Sequence, residues 1–406
     1  MSSYQKNVCC FDKPIAHTQT QTRWVIPAGR KVSAPSMKLL DIKLNPNQSC
    51  YYGALIGAYG CIKRLQLRVN KQEVNYFFSP EVLPYILASN GDNEYQRGVI
   101  SVLNSTGNNV VYDQTSKLLT LERSLVDSQK AEIRLPLLSG FLNAVGVLED
   151  EIELIIDWQS SSSSSELAKY LCPVDPLAPV TAINIEAPYL SYEILEGSSV
   201  SQPDKIQFVE LVPDQFIIPA IGDNNTTATA PIIRSNAFNK KIIGKMLFVN
   251  VPSGISTNND TKALFATFGS YLSVPMSNES FNVNLDGVGL LTMLNVNNDA
   301  TKLGITIDAF NKVQPHAVSL AHVHSKTPVL KELNVNISGS SDKQLNGFFS
   351  YGAVELNQRV NQELSVVYQR RSAVNATYPS LSESMVLHAI GEVHCAWVRG
   401  QGKVYL

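Results

Sequence analysis

The residues best suited to metal chemistry are His322 and His324, which stand two positions apart in the sequence. Residues two apart on a β-strand point to the same face, so both imidazoles could reach one ion. A zinc site requires three or four ligands, however, and His316 is the only other candidate nearby. No carboxylate lies between His316 and Lys331. We therefore interpret the pair as histidines on a strand surface or at an interface, and we predict no metal site.

The densest acidic cluster consists of Glu149, Asp150, Glu151 and Glu153. Paired carboxylates can hydrolyse glycosidic bonds when they converge on one substrate. These four lie where a loop enters a strand, and successive strand residues point in opposite directions. The pattern favours either a solvated rim or a surface that forms salt bridges with another chain.

No other motif indicates a reaction. His388 and His394 lie six apart in one apolar run, and we interpret both as scaffold residues. The glycines at positions 53, 57 and 60 are not followed by the Lys-Ser/Thr pair of a phosphate-binding loop. The chain also lacks a Gly-x-Ser-x-Gly sequence. We predict no catalytic, cofactor-binding or metal-binding residue, no cofactor and no enzymatic activity.

The charge composition excludes several functional classes. The 406 residues include 33 Lys and Arg against 35 Asp and Glu, and only 17% of the chain is charged. A near-neutral balance argues against a large basic face for nucleic acid, because such binding depends on neutralising phosphates. Long helical arrays and coiled coils consist of about half Ala, Glu, Lys, Leu and Arg, and this chain does not have that composition.

Basic residues are concentrated at the beginning of the chain. Asp12 is the only acidic residue before Asp41, and the region carries six basic residues: Lys6, Lys13, Arg23, Arg30, Lys31 and Lys38. We interpret residues 1–30 as an extended, mildly cationic arm. Such an arm is either a disordered tail or a segment that docks on a neighbouring molecule, an internal membrane or a genome.

The beginning of the chain also bears on its location. It has no apolar region of the kind that a secretory signal contains. The six cysteines show no metal-binding spacing, which favours thiols in a reducing compartment. We therefore expect the protein to be made in a cytosol-like environment.

The hydrophobic pattern predicts an all-β protein. Apolar runs are short, rich in Val, Ile, Leu, Tyr and Phe, and end at Gly, Pro, Asn or Asp; residues 151–158 (EIELIIDW) are the clearest strand of the first half. Asp286-Gly287 between two apolar runs predicts a tight hairpin. The exception is residues 137–145, where Leu138, Phe141, Leu142 and Val145 have helical spacing and predict a short helix.

The most plausible linker is the sequence GSSVSQP at residues 197–203, which divides the chain into halves of about 200 residues. This division predicts an arm at 1–30, a first sandwich at 31–197, a linker at 198–203 and a second sandwich at 204–406. The two halves share no clear sequence repeat. The loops of the second half are long and polar.

Several segments resemble the double jelly-roll major capsid proteins of eukaryotic double-stranded DNA viruses, particularly the virophage and polinton-like type. The resemblance is carried by YGALIGAYGCIKRLQLRVNKQE at residues 52–73 and by IRLPLLSGFLNAVGVLEDEIELIIDW at residues 133–158. Residues 181–195 fall where the closing strand of the first jelly roll would lie. Residues 387–406 resemble the terminal strand pair of the second. These matches cover about a third of the chain and involve no catalytic signature.

The resemblance implies two consecutive eight-stranded jelly-roll β-sandwiches with long loops. It also implies a homotrimer of roughly hexagonal outline that tiles an icosahedral shell. The expected partners are neighbouring capsomers and penton and minor capsid proteins, and the expected location is the virion, assembled in the host cytoplasm or nucleus. Sequence-specific binding of nucleic acid is not expected.

Two other functions are compatible with the residues alone. A glycan-binding or attachment module would gather exposed aromatic side chains on one face. The candidates for such a face are Tyr51, Tyr52, Tyr76, Phe77, Phe78, Phe348 and Phe349. A β-sandwich hydrolase would use the acidic cluster or His322 and His324, and we rank it last.

Overall fold

The structure is a computed structural model that describes most of the chain. The described residues are 6–52, 57–77, 82, 109–113, 118–122, 134–137, 139–159, 171–173, 182–218, 228–229, 233–252, 279–296, 305, 308–309, 311–313, 350–361, 363–370 and 385–406. Nearly all of them belong to β-strands or to the turns that join strands.

The described residues between 6 and 196 form a first β-sandwich. Its strands are β1 (Lys6–Asp12), β2 (Ala16–His17), β3 (Gln21–Ile26), β4 (Val32–Leu40), β5 (Leu44–Pro46), β6 (Cys50–Tyr52), β7 (Ile62–Val69), β8 (Gln72–Phe77), β9 (Asn109–Asp113), β10 (Leu118–Glu122), β11 (Arg134–Pro136), β12 (Val147–Leu148), β13 (Ile152–Trp158), β14 (Leu171–Pro173), β15 (Ile183–Ile185) and β16 (Tyr189–Glu196). A 3-10 helix spans Gly57–Cys61, and an α-helix, α1, spans Gly140–Val145.

Residues 205–405 form a second β-sandwich. Its strands are β17 (Lys205–Ile218), β18 (Ala228–Thr229), β19 (Ile233–Ser235), β20 (Ile242–Pro252), β21 (Glu279–Leu285), β22 (Val288–Val296), β23 (Ser350–Arg359), β24 (Leu364–Arg370), β25 (Met385–Val398) and β26 (Gly402–Tyr405). Among the described residues, none of the helices has the length and apolarity that a membrane crossing requires.

The two sandwiches have the same topology. In the first, the sheets are ordered β1-β16-β4-β11 and β3-β13-β7-β8; in the second, they are ordered β17-β25-β20-β23 and β19-β24-β21-β22. Each sandwich has eight principal strands, which can be numbered along the chain. They are β1, β3, β4, β7, β8, β11, β13 and β16 in the first sandwich, and β17 and β19–β25 in the second. In both sandwiches one sheet has the order first, eighth, third, sixth, and the other has the order second, seventh, fourth, fifth. This order is that of two interleaved Greek keys, the jelly roll. The prediction of two consecutive eight-stranded jelly rolls is therefore confirmed.

The cationic arm predicted at residues 1–30 is wrong for residues 6–26. Strand β1 pairs with β16 from Lys6 opposite Glu196 to Asp12 opposite Leu190, and β3 pairs with β13. The basic residues misled the prediction because Lys6 and Arg23 lie on the exposed faces of these strands, whereas Trp24 and Ile26 fill the core. These segments are the first two strands of the first jelly roll. Residues 1–5 lie outside the described part of the chain.

The short helix predicted after Pro136 is confirmed, and it begins at Gly140 rather than at Leu137. Ser139 is the N-cap, and its side-chain oxygen accepts a hydrogen bond from the N–H of Leu142 at 3.2 Å. Gly146, with φ of 70°, ends the helix. The helix buries Phe141, Leu142 and Val145, as the spacing predicts. Leu138 lies outside the described residues.

The strand β25 contains a buried polar group without a partner. His388 is 4% exposed, and its Nδ1 atom has no hydrogen-bond partner. On the neighbouring strands it lies opposite Gln215 and Val249. Burial disfavours the charged imidazolium and lowers the pKa of His388 to about 4. The residue therefore belongs to the scaffold, as its position in an apolar run suggests.

We predict that His388 makes the protein less stable as the pH falls from about 6.5 to 4. In this range the unfolded chain binds a proton at His388 and the native state does not. The free energy of unfolding therefore decreases as the pH falls. The loss amounts to about 3 kcal/mol for a difference of about 2.5 pKa units. Urea unfolding of wild type and His388→Leu at both pH values measures it.

The contribution of His388 is the part of the wild-type loss in unfolding free energy that His388→Leu does not show. His394→Gln is the matched control on the same strand and should retain the dependence of the wild type. An identical loss of stability in wild type and His388→Leu between pH 6.5 and 4 would show that His388 is not responsible.

Candidate assembly surfaces and the junction between the two sandwiches

The histidines considered as metal ligands are not part of the described structure. His316, His322 and His324 lie outside the described residues, so their interpretation stays a prediction. Within the described part of the chain, no group of three or more His, Cys, Asp or Glu residues could hold a metal ion. The aromatic side chains proposed for glycan binding also lie outside the described part of the structure. They belong to Tyr51, Tyr52, Tyr76, Phe77, Phe78, Phe348 and Phe349.

The acidic cluster is divided among separate ion pairs. Glu153 is 5% exposed and lies between Arg23 and Arg68; its Oε1 contacts Nε of Arg23, and its Oε2 lies 3.4 Å from Nη1 of Arg68. Glu149 lies 3.5 Å from the ammonium group of Lys31. Glu153 therefore does not belong to a solvated rim, and these carboxylates do not converge on a common point.

Asp150 connects the first sandwich to the second. Arg399, in the turn after β25, donates two hydrogen bonds to its carboxylate, at 2.6 and 3.0 Å. These bonds and the charge of Asp150 raise the pKa of Arg399. Gln202 donates to Asp150 at 2.9 Å and accepts from the backbone N–H groups of Glu149 and Asp150. One interpretation of the acidic cluster was a salt bridge to another chain. The structure shows instead that Asp150 forms its salt bridge with the other sandwich of the same chain.

The helix α1 packs against the second sandwich. The ring of Phe141 meets Phe208 of β17 at 5.4 Å and Trp397 of β25 at 5.8 Å, both edge to face. Such pairs contribute about 0.5–1.5 kcal/mol each beyond the area they bury. Gly140 lies so close to β17 that a Cβ atom would overlap the carbonyl oxygen of Val209. Only glycine permits the helix to approach the strand at this distance.

A second contact joins β8 of the first sandwich to the end of the chain. The side-chain amide of Gln72 donates to the carbonyl of Gly400 at 2.9 Å. Lys403 of β26 lies 4.0 Å from Glu73 and donates to Glu210 of β17 at 2.9 and 3.2 Å. Strand β26 therefore contacts both sandwiches.

The pair formed by Lys403 and Glu210 is shielded from solvent. The side chain of Lys403 is 9% exposed and that of Glu210 is 2% exposed. Lys403 also lies 5.0 Å from the centre of the Tyr405 ring. Cys395 contacts Glu210 at 3.7 Å, and burial, together with that carboxylate, raises the pKa of Cys395 to about 12. The thiol therefore stays protonated next to the ion pair.

One polar pocket lies at the end of the first sandwich. It has a volume of about 480 Å³, and its walls include His17, Lys43, Glu186 and Tyr189. Both ring nitrogens of His17 are engaged, Nδ1 with the hydroxyl of Thr22 at 2.7 Å and Nε2 with the carbonyl of Ile185 at 2.9 Å. The imidazole therefore links β2 to β15, and hydrogen bonds occupy both of its ring nitrogens.

The exposed apolar side chains provide candidate assembly surfaces. Among the residues that the structure describes, six large hydrophobic side chains are more than a third exposed: Phe11, Ile15, Val200, Val288, Val404 and Tyr405. Phe11 lies on β1 and Val288 on β22, and each of these strands is at the edge of its sheet. Apolar groups at a strand edge are a ready contact for another chain.

Comparison with known proteins agrees with this fold. No family model and no curated protein sequence matches the chain. A chain of the Sputnik virophage, from a structure determined by cryo-electron microscopy, matches with a TM-score of 0.57 and 10% identity over 100% of this chain and 89% of that chain. The major capsid protein of mavirus matches with a TM-score of 0.54 and 9% identity over 98% and 89%.

A third similar structure is VP54 of the virus PBCV-1, fitted into a reconstruction of the Sputnik virophage. It matches with a TM-score of 0.52 and 10% identity, over 99% of this chain and 97% of that chain. Because the three matches cover both sandwiches, they confirm the double jelly-roll fold over the whole chain. At 9–10% identity the likeness lies in the fold.

We predict that Gly140→Ala weakens the junction. The added methyl group must displace either α1 or the backbone of β17, and overpacking of this kind costs about 1–3 kcal/mol. Thermal unfolding followed by circular dichroism should show a lower Tm. Asn143→Ala, on the exposed side of the same helix, is the matched control and should leave Tm almost unchanged. If both variants melt like wild type, the close approach at Gly140 is not important for stability.

We also predict that Lys403→Met is more damaging than removal of the whole ion pair. The single variant removes the ammonium group that donates to both carboxylate oxygens of the buried Glu210, and breaking a buried pair from one side costs about 3–5 kcal/mol. The double variant Lys403→Met, Glu210→Gln also removes the negative charge and should recover most of this loss. Chemical unfolding of the three proteins measures the difference. A double variant no more stable than Lys403→Met would contradict this account of the pair.

Proposed function

We propose that this chain is a major capsid protein, a structural subunit whose homotrimers tile the icosahedral shell of a double-stranded DNA virus. The observation that carries the proposal is the repetition of one jelly-roll topology in two sandwiches that pack tightly on each other. Solved proteins of the same fold include the major capsid protein of mavirus. The protein therefore acts by assembling, and it needs no catalytic residue or cofactor.

Geometry connects the double jelly roll to a hexagonal building block. A chain with two similar sandwiches supplies two similar outer surfaces, and three such chains placed around an axis supply six. Closed cyclic symmetry of this kind is the usual state of homo-oligomers. A trimer can thus have nearly hexagonal edges, and hexagonal units cover a flat facet without gaps. The location that follows is the capsid shell of the virion.

The composition also supports an assembly function. Surfaces that become buried against copies of the same chain cannot carry many unpaired charges, because removing charges from water is costly. Charged residues make up only 17% of this chain, and the net charge is −2. The partners that the likeness to capsid proteins implies are neighbouring capsomers and the penton and minor capsid proteins. A direct role in neutralising the genome does not fit this charge.

We predict that the purified full-length chain is a trimer. Its mass in solution should be about 134 kDa, three times the 44.6 kDa of one chain. Light scattering after size-exclusion chromatography at native salt concentration measures this mass, and negative-stain electron microscopy should show hexagonal particles with three-fold symmetry. A monomer at micromolar concentration in both experiments would contradict the proposed function.

A further inference from the structure

We propose that the polar pocket at the end of the first jelly roll binds a neutral sugar unit. The walls of this pocket include His17, Lys43, Glu186 and Tyr189. Binding of a sugar goes beyond the proposed assembly function, because a subunit of a shell can carry a ligand site that its fold does not require. Four properties of the pocket support this ligand: its place in the fold, its rigid walls, its polar groups without partners and the balance of its charges.

The pocket lies at the end of the first jelly roll that is remote from the linker. Tyr189 is the first residue of β16, and Glu196, the last residue of this strand, precedes the linker. At about 3.3 Å per residue, the eight residues of β16 span about 25 Å. The three longest connections between the principal strands begin and end at the end that carries the pocket; they are residues 41–61, 78–133 and 159–188. A ligand bound here therefore leaves the contacts of Asp150 and α1 with the second sandwich free of interference.

Hydrogen bonds hold the walls of the pocket in one shape. The side-chain amide of Gln19 donates to the carbonyl of Ile185 at 3.1 Å and accepts from its N–H at 2.7 Å. The N–H of Glu186 donates to the carbonyl of Lys43 at 3.0 Å, and the side chain of Asn45 donates to Oε1 of Glu186 at 3.0 Å. These bonds join three segments that are distant in the sequence. A preformed pocket loses little conformational entropy when a ligand binds, so more of the contact energy remains as affinity.

His17 belongs to the same rigid wall. Its Nε2 atom faces the carbonyl of Ile185, which can only accept, so Nε2 carries the proton of the neutral ring. Nδ1 therefore accepts from the hydroxyl of Thr22, and this hydroxyl accepts in turn from Nε1 of Trp158 at 2.7 Å. Both ring nitrogens of His17 thus stabilise the wall, and the recognition of a ligand depends on other residues.

Three polar side chains in the walls have no partner among the residues that the structure describes. They belong to Asp41, Lys43 and Asn184. Asp41 and Lys43 line the pocket on either side of Ile42, which is fully buried. Asp41 has a φ of 54°, in the left-handed region that Asp adopts more readily than most residues. The fold therefore presents to the pocket two charged groups and an amide that the described part of the chain does not satisfy.

The charges around the pocket are balanced. Asp41 and Glu186 supply two carboxylates, and Lys43 supplies an ammonium group. The ammonium group of Lys13 lies 5.9 Å from the centre of the Tyr189 ring. The carboxylates repel an anion and the lysines repel a divalent cation, and the described residues contain no group of three or more His, Cys, Asp or Glu that could hold a metal ion. The pocket therefore favours a ligand without net charge.

A neutral ligand for this pocket must offer both donors and acceptors. Hydroxyl groups do so, since they donate to the carboxylates of Asp41 and Glu186 and accept from the ammonium group of Lys43. Hydrogen bonds to ionised groups are about twice as strong as those between neutral groups. The ring of Tyr189 adds a flat apolar surface for the C–H groups of a sugar. The volume of about 480 Å³ lies within the range of small-molecule pockets, which is about 300–1,000 Å³.

Saturation-transfer difference NMR of the full-length protein tests the site. The probes are glucose, galactose, mannose and N-acetylglucosamine at millimolar concentration. We expect the protein to transfer saturation to at least one of these sugars. The double variant Asp41→Asn, Lys43→Met should raise the Kd for that sugar at least tenfold, because it replaces both unpaired charges with side chains of similar size. Transfer to none of the four sugars would overturn the inference.

A matched control separates the pocket from a general effect of charge. The double variant Glu196→Gln, Lys63→Met makes the same kinds of change at exposed residues outside the pocket and should bind the sugar like wild type. The single variant Asp41→Asn, which suits a left-handed backbone, should also weaken binding if the double variant folds poorly. An unchanged Kd in a folded pocket variant would show that the sugar binds elsewhere and would overturn the inference.

A glycan array distinguishes two sources of the sugar. Binding of the wild type to immobilised glycans that end in the same sugar, with loss in the pocket variant, would identify a glycan of a cell surface. Binding of the free sugar alone would identify a small soluble ligand, and it supports the site equally. Light scattering should give the same mass for all variants, because the pocket is remote from the junction. Absence of sugar binding therefore contradicts only the site, whereas a monomeric wild type contradicts only the proposed function.

Discussion

The architecture depends on the close packing of α1 against the second jelly roll. Phe141 lies edge-on to both Phe208 and Trp397, and Gly140 allows the helix to touch the backbone of β17. Because this contact joins two separately closed sandwiches, it determines how one is oriented relative to the other. The outline of any assembly built from the chain depends on that orientation.

Charged groups reinforce the junction where it is partly shielded from water. Arg399 binds Asp150 with two parallel hydrogen bonds, and Gln202 holds the backbone of the same acidic segment. The pair of Lys403 and Glu210 is more deeply buried. A buried pair adds little net stability, but an incorrect alignment would leave a charge without a partner. These pairs therefore select one arrangement of the two sandwiches over others.

Local patterns in the sequence predicted the parts of the fold that near neighbours determine. The short apolar run at residues 151–158 predicts a strand, and the spacing from Phe141 to Val145 predicts a helix. Asp286-Gly287 predicts a hairpin, because those residue types readily adopt positive φ. The same reasoning failed for residues 6–26, where counting basic residues concealed the alternation that buries Trp24 and Ile26. The resemblance to capsid proteins supplied the order of the strands.

By itself, the sequence determined an all-β chain with a short helix after Pro136 and a low charge, since composition and periodicity are properties of neighbouring residues. Only the tertiary structure decided which residues meet across the junction. Asp150 and Arg399 are 249 positions apart, and no pattern within either segment indicates the other. The requirement for glycine at position 140 arises in the same way, because it comes from the backbone of Val209 in the second sandwich. Contacts between distant segments depend on how whole sheets pack, which local sequence does not encode.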